Sequence, residues 1–175
     1  MKSLKAASIA RIALMTAVMA VLSQCAIPLP GLVPITLQTF AAALAGALLG
    51  WKQGAAALAV YLLLGCVGAP VFSGFSAGVG ALVGPTGGYL MAFPVMAALS
   101  GVGREKSALI NCAFGLLGLL ALDLVGTFWL AQAGGMSFQA ALTAGVVPFL
   151  LKEVASVLLA VLLARLLRRR LPGKL

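Results

Sequence analysis

Histidine is absent from this chain of 175 residues, and acidic residues number only three. Without histidine the chain has no Ser–His or Cys–His catalytic pair and lacks the usual zinc ligands. The glycine-rich phosphate loop of nucleotide hydrolases is also missing. The three cysteines, Cys25, Cys66 and Cys112, lie far apart in apolar runs, which matches neither a metal site nor a disulfide framework. We therefore expect no enzyme activity, no metal and no cofactor.

Charge is scarce as well. Charged residues make up 9% of the chain and hydrophobic residues 63%, against about 25% and about 45–50% in soluble domains. So few charges cannot cover a surface that faces water, so the composition predicts an integral membrane protein. The net charge of +9 comes from small basic clusters without interleaved aromatic residues. Such clusters indicate membrane topology rather than nucleic-acid binding.

Proline, glycine and polar residues divide the chain into apolar stretches. We predict one all-α membrane domain over residues 1–175, with six transmembrane helices at roughly 9–27, 36–50, 55–67, 87–100, 107–130 and 142–167. The second and third stretches are shorter than the roughly 20 residues of an upright span. They could instead form a hairpin or re-entrant pieces.

The distribution of basic residues favours six spans. With both termini in the cytoplasm, eleven of the twelve basic residues fall on the cytoplasmic side, the exception being Lys152. The three outer loops, near 28–35, 68–86 and 132–143, carry no charge. The positive-inside rule predicts this alternation.

Three ionisable residues lie inside the predicted spans: Asp123, Lys152 and Glu153. A charge at the membrane centre costs about 2.5–3.5 kcal/mol, so such residues usually line a cavity or meet a partner. One interpretation is a structural Asp123–Lys152 ion pair, or snorkelling of Lys152 to the headgroups. The other is an outward-facing solute site, in which Lys152 attracts a carboxylate, Glu153 accepts N–H groups and Ser156 lies one turn away on the same face.

The outer segment between Gly68 and Gly84 is too hydrophobic to lie free in water and too rich in glycine for a helix. Irregular backbone at membrane depth is tolerated where it is buried or lines a cavity. Phe72, with Phe75, is expected to supply apolar walls. Ser73 and Ser76 are expected to supply hydrogen bonds.

Two further segments add polar groups near this end. Thr86 is predicted to cap the fourth helix, and Tyr89 offers a ring and a hydroxyl, with an interfacial anchor as the alternative. Thr36 and Gln38 open the second span; capping accounts for Thr36, whereas Gln38 needs a partner. All four are candidate binding residues.

Alanines recur at helical spacing along the first span: Ala6, Ala10, Ala13, Ala17 and Ala20. In lipid, a stripe of small residues lets another helix approach closely. The stripe indicates either docking of a partner or internal packing.

Three segments taken together resemble the BioY family, the biotin-specific substrate-binding (S) components of energy-coupling factor (ECF) transporters. They are PITLQTF (34–40), LLLGCVGAPVF (62–72) and GPTGGYL (84–90). The order and spacing of these features hold from about residue 10 to 167. The resemblance implies an S-component bundle in the cytoplasmic membrane of a prokaryote, with an outward-facing pocket for biotin.

The resemblance also implies partners: a transmembrane coupling protein and paired ABC ATPases, docked through an Ala-x-x-x-Ala motif that Ala13 and Ala17 match. Family members commonly carry an acid and, three residues later, a lysine on the sixth helix. Here Glu153 matches the acid, but Ser156 stands in place of the lysine, and Lys152 is the candidate substitute. The alternative function is a proton-coupled secondary carrier of a small carboxylate-bearing solute that uses Asp123 and Glu153.

Overall fold

The computed structural model describes residues 2–27 and 33–170, and it is built almost entirely of helices. The helices are α1 Lys2–Gln24, α2 Gln38–Leu49, α3 Trp51–Cys66, α4 Val79–Val83, α5 Gly87–Val102, α6 Ala108–Gly134, α7 Phe138–Gly145 and α8 Leu150–Arg170. Two short strands, β1 Ala26–Ile27 and β2 Ile35–Thr36, pair antiparallel with Ala26 opposite Thr36. A 3₁₀ turn covers Ser73–Phe75. The predicted all-α fold class is confirmed.

The helices follow the predicted spans, with differences at two places. α1 ends at Gln24, and the next residues form β1 instead of continuing the helix to residue 27. Pro28 and Pro30, which directly follow the first predicted span, lie outside the described residues. The stretch 142–167 is not one helix: α7 and α8 meet at a bend of 59°. The break contains Pro148, which lacks the N–H that a continuous helix requires.

Only some of the helices are long enough to cross a bilayer. Among the described residues, α1 (over Ala6–Gln24) and α6 are long and apolar enough, and the bent pair α7–α8 would be a third such segment. If α7 and α8 are counted together and the five-residue α4 is set aside, six principal helical elements remain. The six-span topology, with both ends in the cytoplasm, stays a prediction.

α2 lies at the centre of the bundle. Every residue of α2 except Phe40 is buried, and α3, α5 and α8 pack around it. Glycine makes this close packing possible, because a Cβ on Gly46 would overlap the carbonyl oxygen of Ala97 on α5. On the other side, a Cβ on Gly54 would lie 2.8 Å from the Cα of Gly46. Small residues at such crossings let backbones approach closely.

Helix ends are set by local sequence signals. Ser107 accepts a hydrogen bond from the N–H of Ile110 at the start of α6, and Ser137 does the same for Ala140 at the start of α7. Gly135 ends α6 with a φ of 61°. This packing places the first turns of α2, α5 and α8 around one end of the bundle, where the candidate site lies.

Candidate ligand-binding site

A cavity of about 190 Å³ lies at this end of the bundle. Its walls come from the segment before α2, the first turn of α2, the segment between α3 and α5, the start of α5, and the α7–α8 break. Nine of the eleven predicted binding residues line it: Thr36, Gln38, Phe72, Ser73, Ser76, Thr86, Tyr89, Lys152 and Glu153. The structure therefore brings together residues that lie more than a hundred positions apart.

Glu153 supplies an acceptor to the cavity. Its Oε1 accepts a hydrogen bond from Thr39 Oγ1 at 3.1 Å. Its Oε2 is buried without a hydrogen-bond partner among the described residues. A buried carboxylate oxygen without a donor is costly, and either a ligand N–H or a proton shared with the neighbouring Asp123 carboxyl would satisfy it.

Lys152 lies beside Glu153. Its Nζ donates to the carbonyl oxygen of Thr36 at 2.7 Å and stands 4.0 Å from Glu153 Oε1. An ammonium group has three donors, so the bond to Thr36 leaves capacity for a ligand acceptor. The two side chains thus present one free acceptor and free donors at neighbouring positions.

Gln38 is held by a buried chain of hydrogen bonds. Thr36 Oγ1 donates to Gln38 Oε1 at 3.1 Å, and Gln38 Nε2 donates to the hydroxyl of Tyr61 at 3.0 Å. Tyr61 also packs edge-on against Phe72, with ring centroids 5.4 Å apart. Gly65 leaves room for Phe72, because a Cβ there would overlap its ring. The predicted need of Gln38 for a partner is therefore met by Tyr61.

The segment that covers the cavity, residues 67–78, is tied to the end of α1. Gln24 Nε2 donates to the carbonyl oxygens of Val71 and Phe72, both at 3.1 Å, and its Oε1 accepts from the N–H of Phe75 at 2.9 Å. Ser23 Oγ donates to the carbonyl of Val71 at 2.6 Å. Phe75 itself points outward and is 70% exposed, so the expectation that it forms a wall is wrong.

Tyr89 forms the wall on the α5 side. Its ring lies against Gly126 of α6 and its hydroxyl against Gly145 of α7, where side chains would collide with it. The hydroxyl is buried without a partner among the described residues. This placement favours a cavity wall over an interfacial anchor. Thr86 precedes α5 but makes no side-chain capping bond, and it lines the cavity instead.

Asp123 and Ser156 lie outside the cavity lining. Asp123 is buried on α6 close to Glu153, and its Oδ1 has no hydrogen-bond partner among the described residues. The salt bridge of Lys152 is with Glu153 and not with Asp123, so the predicted structural pair is not formed. Ser156 is buried one turn along α8. No group of three potential metal ligands occurs in the described part of the chain.

The sequence of the whole chain was compared with known families. A family model described as the BioY family matches residues 1–173. The chain belongs to the BioY family. The resemblance that the three sequence motifs indicated is thereby confirmed.

Relatives in the BioY family are similar along nearly their whole length. The probable biotin transporter BioY of Pyrococcus horikoshii is 39% identical over 165 residues, which cover 94% of this chain and 98% of the relative. Biotin transporter BioY2 of Lactococcus lactis is 37% identical over 174 residues, 98% of this chain and 95% of the relative.

One solved structure is closely similar to this BioY-family chain. It is described as the S-component for biotin from an ECF-type ABC transporter. Its TM-score is 0.89 at 28% identity, covering 97% of this chain and 94% of that chain. The predicted S-component-like bundle is confirmed.

Several lining residues of this BioY-family protein were not predicted. Thr39 directly follows the predicted residue Gln38 in the first turn of α2, and its polar side chain in an apolar helix could have indicated it. Phe93 likewise follows Tyr89 by four residues on α5. Phe149 lies in the α7–α8 break and carries no local signal. The other unpredicted lining residues are Val33, Pro34, Ala81, Leu90, Leu122 and Gly145.

Proposed function

We propose that this protein captures biotin from outside the cell as the substrate-binding component of an ECF-type transporter in the cytoplasmic membrane of a prokaryote. The BioY family membership, the named relatives and the similar S-component structure support this proposal. The observation that carries it is the cavity itself. It combines a partly unpaired carboxylate, an ammonium group and aromatic walls under a tied loop.

The polar pair suits the ureido group of biotin. A cyclic urea presents an N–H donor directly beside a carbonyl acceptor, and Glu153 and Lys152 present the opposite pair on neighbouring side chains, with Lys152 Nζ 4.0 Å from Glu153 Oε1. We therefore assign both side chains to the ureido end. The division expected from the sequence instead assigns Glu153 to the ureido N–H groups and Lys152 to the valerate carboxylate. That assignment would require the two ends of an extended ligand to lie as close together as these neighbouring side chains. Ser73, Ser76 and Thr86 are then left for the valerate end.

Apolar walls complete the fit. Phe72 and Tyr89, with Phe93 and Phe149, surround the polar pair. A mostly apolar pocket with a few convergent polar groups is the usual arrangement for a small molecule. The bicycle of biotin would pack against these rings. Asp123 is assigned a supporting role behind Glu153, and Ser156 is not assigned a ligand contact.

Binding by the purified chain tests the proposal directly. Isothermal titration calorimetry in detergent should show tight binding of biotin, weaker binding of desthiobiotin and no binding of octanoate. Octanoate shares the carboxylate and an apolar chain but lacks the ureido group. Equal affinity for biotin and octanoate, or no biotin binding by a folded protein, would refute biotin capture.

The exposed face of α1 supports docking of a coupling protein with paired ATPases. Ala13 and Ala17 are both exposed, whereas Met15 and Met19 face the core, so internal packing does not account for the stripe. Small residues on an exposed helix face let a second helix approach closely. We propose that this stripe contacts the coupling protein, as the family resemblance implies.

Uptake measurements separate this role from the alternative. Biotin uptake by cells that also express an ECF module should be lost in Ala13→Arg with Ala17→Arg, while calorimetric binding stays unchanged. Leu120→Arg, at an exposed position in the middle of α6, controls for the cost of arginine in lipid. Uptake by the chain alone in liposomes, driven by a pH gradient, would instead establish the proton-coupled carrier.

A further inference from the structure

A second concave site lies at the opposite end of α8. A cavity of about 240 Å³ is lined by Arg104, Glu105, Lys106, Arg165, Arg168 and Arg169. Sixteen residues separate Lys152 from Arg168, about 24 Å along a helix. The basic cavity therefore lies roughly one membrane core away from the ligand cavity, at the predicted cytoplasmic boundary.

The charges within this basic cavity are not balanced. Glu105 pairs with Arg104 at 2.9 Å and with Arg168 at 3.6 Å, but its side chain is 75% exposed. One carboxylate thus faces five cations. Moreover, Arg168 Nε is buried and has no hydrogen-bond partner within the described residues. A buried donor without an acceptor is costly, so an anion that accepts from this nitrogen would be favourable.

Two of the guanidinium groups are already positioned. Arg104 Nε donates to the carbonyl of Leu48 at 3.0 Å, and one terminal nitrogen of Arg165 donates to the carbonyl of Lys106 at 2.9 Å. Arg104 also pairs with Glu105 through Nη1. A guanidinium group has five N–H donors, so both side chains keep further donors for a ligand. Fixed guanidinium groups with free donors are suited to the oxygens of a phosphate.

The surface around the basic cavity is apolar. Leu109, three residues after Lys106 at the start of α6, is 80% exposed, and Leu162 and Leu166, which precede Arg168 on α8, are more than half exposed. A free phosphate or an acidic soluble protein would make no use of these side chains. The acyl chains of a lipid would cover them while the headgroup occupies the cavity.

We propose that the basic cavity binds the phosphate headgroup of an anionic phospholipid from the cytoplasmic leaflet. Basic pockets between helices on that side of a membrane suit anionic headgroups, and each cation near the surface adds about a fivefold factor in affinity. The lipid would join the α5–α6 turn to the end of α8. This role is independent of what the other cavity binds.

Native mass spectrometry of the purified protein tests this proposal. The probes are dioleoyl phosphatidylglycerol and dioleoyl phosphatidylcholine, each added to the detergent micelle. Phosphatidylglycerol should remain bound and phosphatidylcholine should not. Arg169→Gln, at an exposed position, and Arg168→Gln should each weaken retention about fivefold. Lys52→Gln removes one charge that stacks on Trp51 outside the cavity, and it should leave retention unchanged.

The other outcomes would overturn the proposal. If Lys52→Gln weakens retention as much as Arg168→Gln and Arg169→Gln do, the effect belongs to net charge and not to the cavity. If inorganic phosphate binds the protein and displaces phosphatidylglycerol, the ligand is a free anion. If the arginine variants retain the lipid but lose association with an ECF module, the surface is a protein contact. Arg169→Gln keeps the test valid should Arg168→Gln fail to fold.

Discussion

Replacing Glu153 by glutamine gives the sharpest test of the ligand cavity. The change keeps the size of the side chain and its contact with Thr39, but it removes the negative charge and places an amide nitrogen on one of the two carboxyl positions. Oε1 already accepts from Thr39 and Oε2 has no partner among the described residues, so we assign one ligand hydrogen bond to Oε2. The substitution therefore removes one charge-assisted hydrogen bond to the ureido N–H of biotin.

The size of the effect follows from that count. A hydrogen bond to a charged group contributes about 1.5–3 kcal/mol, and each 1.4 kcal/mol is about a factor of ten in affinity. We expect Glu153→Gln to weaken biotin binding about tenfold to hundredfold. Glu153→Ala should weaken it at least about tenfold, since it also leaves the ureido donor buried without an acceptor.

Titration calorimetry of the purified variants measures this effect, with thermal unfolding as a check on the fold. Ser156→Ala is the matched control, because Ser156 is buried on the same helix but does not line the cavity. It should bind biotin like the unaltered protein. A folded Glu153→Gln variant with unchanged affinity would remove Glu153 from the site, and a large effect of Ser156→Ala would show that the cavity is placed wrongly.

Three further changes test the neighbouring parts of the site. Gly65→Ala should lower the free energy of unfolding by about 1–3 kcal/mol in a thermal unfolding assay, because the added Cβ overlaps the ring of Phe72. Gly80→Ala is the control, because its Cβ meets no atom within 4 Å and should cost no stability. Equal stability of the two variants would contradict the packing of Phe72 against Gly65. Gln24→Ala removes three hydrogen bonds to the covering segment, so hydrogen exchange at residues 71–76 should accelerate about tenfold or more; unchanged exchange would show that the tie carries no stability. Lys152→Gln should weaken biotin and biotin amide by the same factor in calorimetry, because Lys152 is assigned to the ureido end; loss of the effect with the amide would instead assign Lys152 to the carboxylate.

The fold class could be predicted because the composition leaves little choice. A chain with 9% charged residues can bury its backbone in lipid only as helices or a closed barrel, and its apolar runs have helical length. Hydropathy does not separate helices that face lipid from helices that face protein. α2 is as apolar as a membrane span, yet it has only 12 residues and is buried on every side. The bend at Pro148 has a sequence signal in the proline itself, but the predicted span 142–167 runs through it because apolar residues continue on both sides.

The polar part of the site was predictable for a related reason. A polar side chain in an apolar chain needs a partner, so each one marks a place where something must meet it. That logic found Glu153, Lys152 and Gln38. The same logic also indicated Asp123, which does not line the cavity. The search for polar residues also gave no information on Phe93 and Phe149, because cavity walls and hydrophobic cores are built from the same apolar residue types.

The proposed docking face and the cover of the cavity belong to one rigid element. α1 carries Ala13 and Ala17 on its exposed side, and its last turn carries Ser23 and Gln24, which hold the covering segment through backbone carbonyls. Only about 10 Å of helix separates Ala17 from Gln24. A helix transmits displacement along its axis, so a partner that tilts α1 would also move the carbonyl of Phe72, a residue that lines the cavity. We therefore expect docking at the proposed face to move the cover of the cavity, and we expect the Gln24→Ala variant to weaken that link.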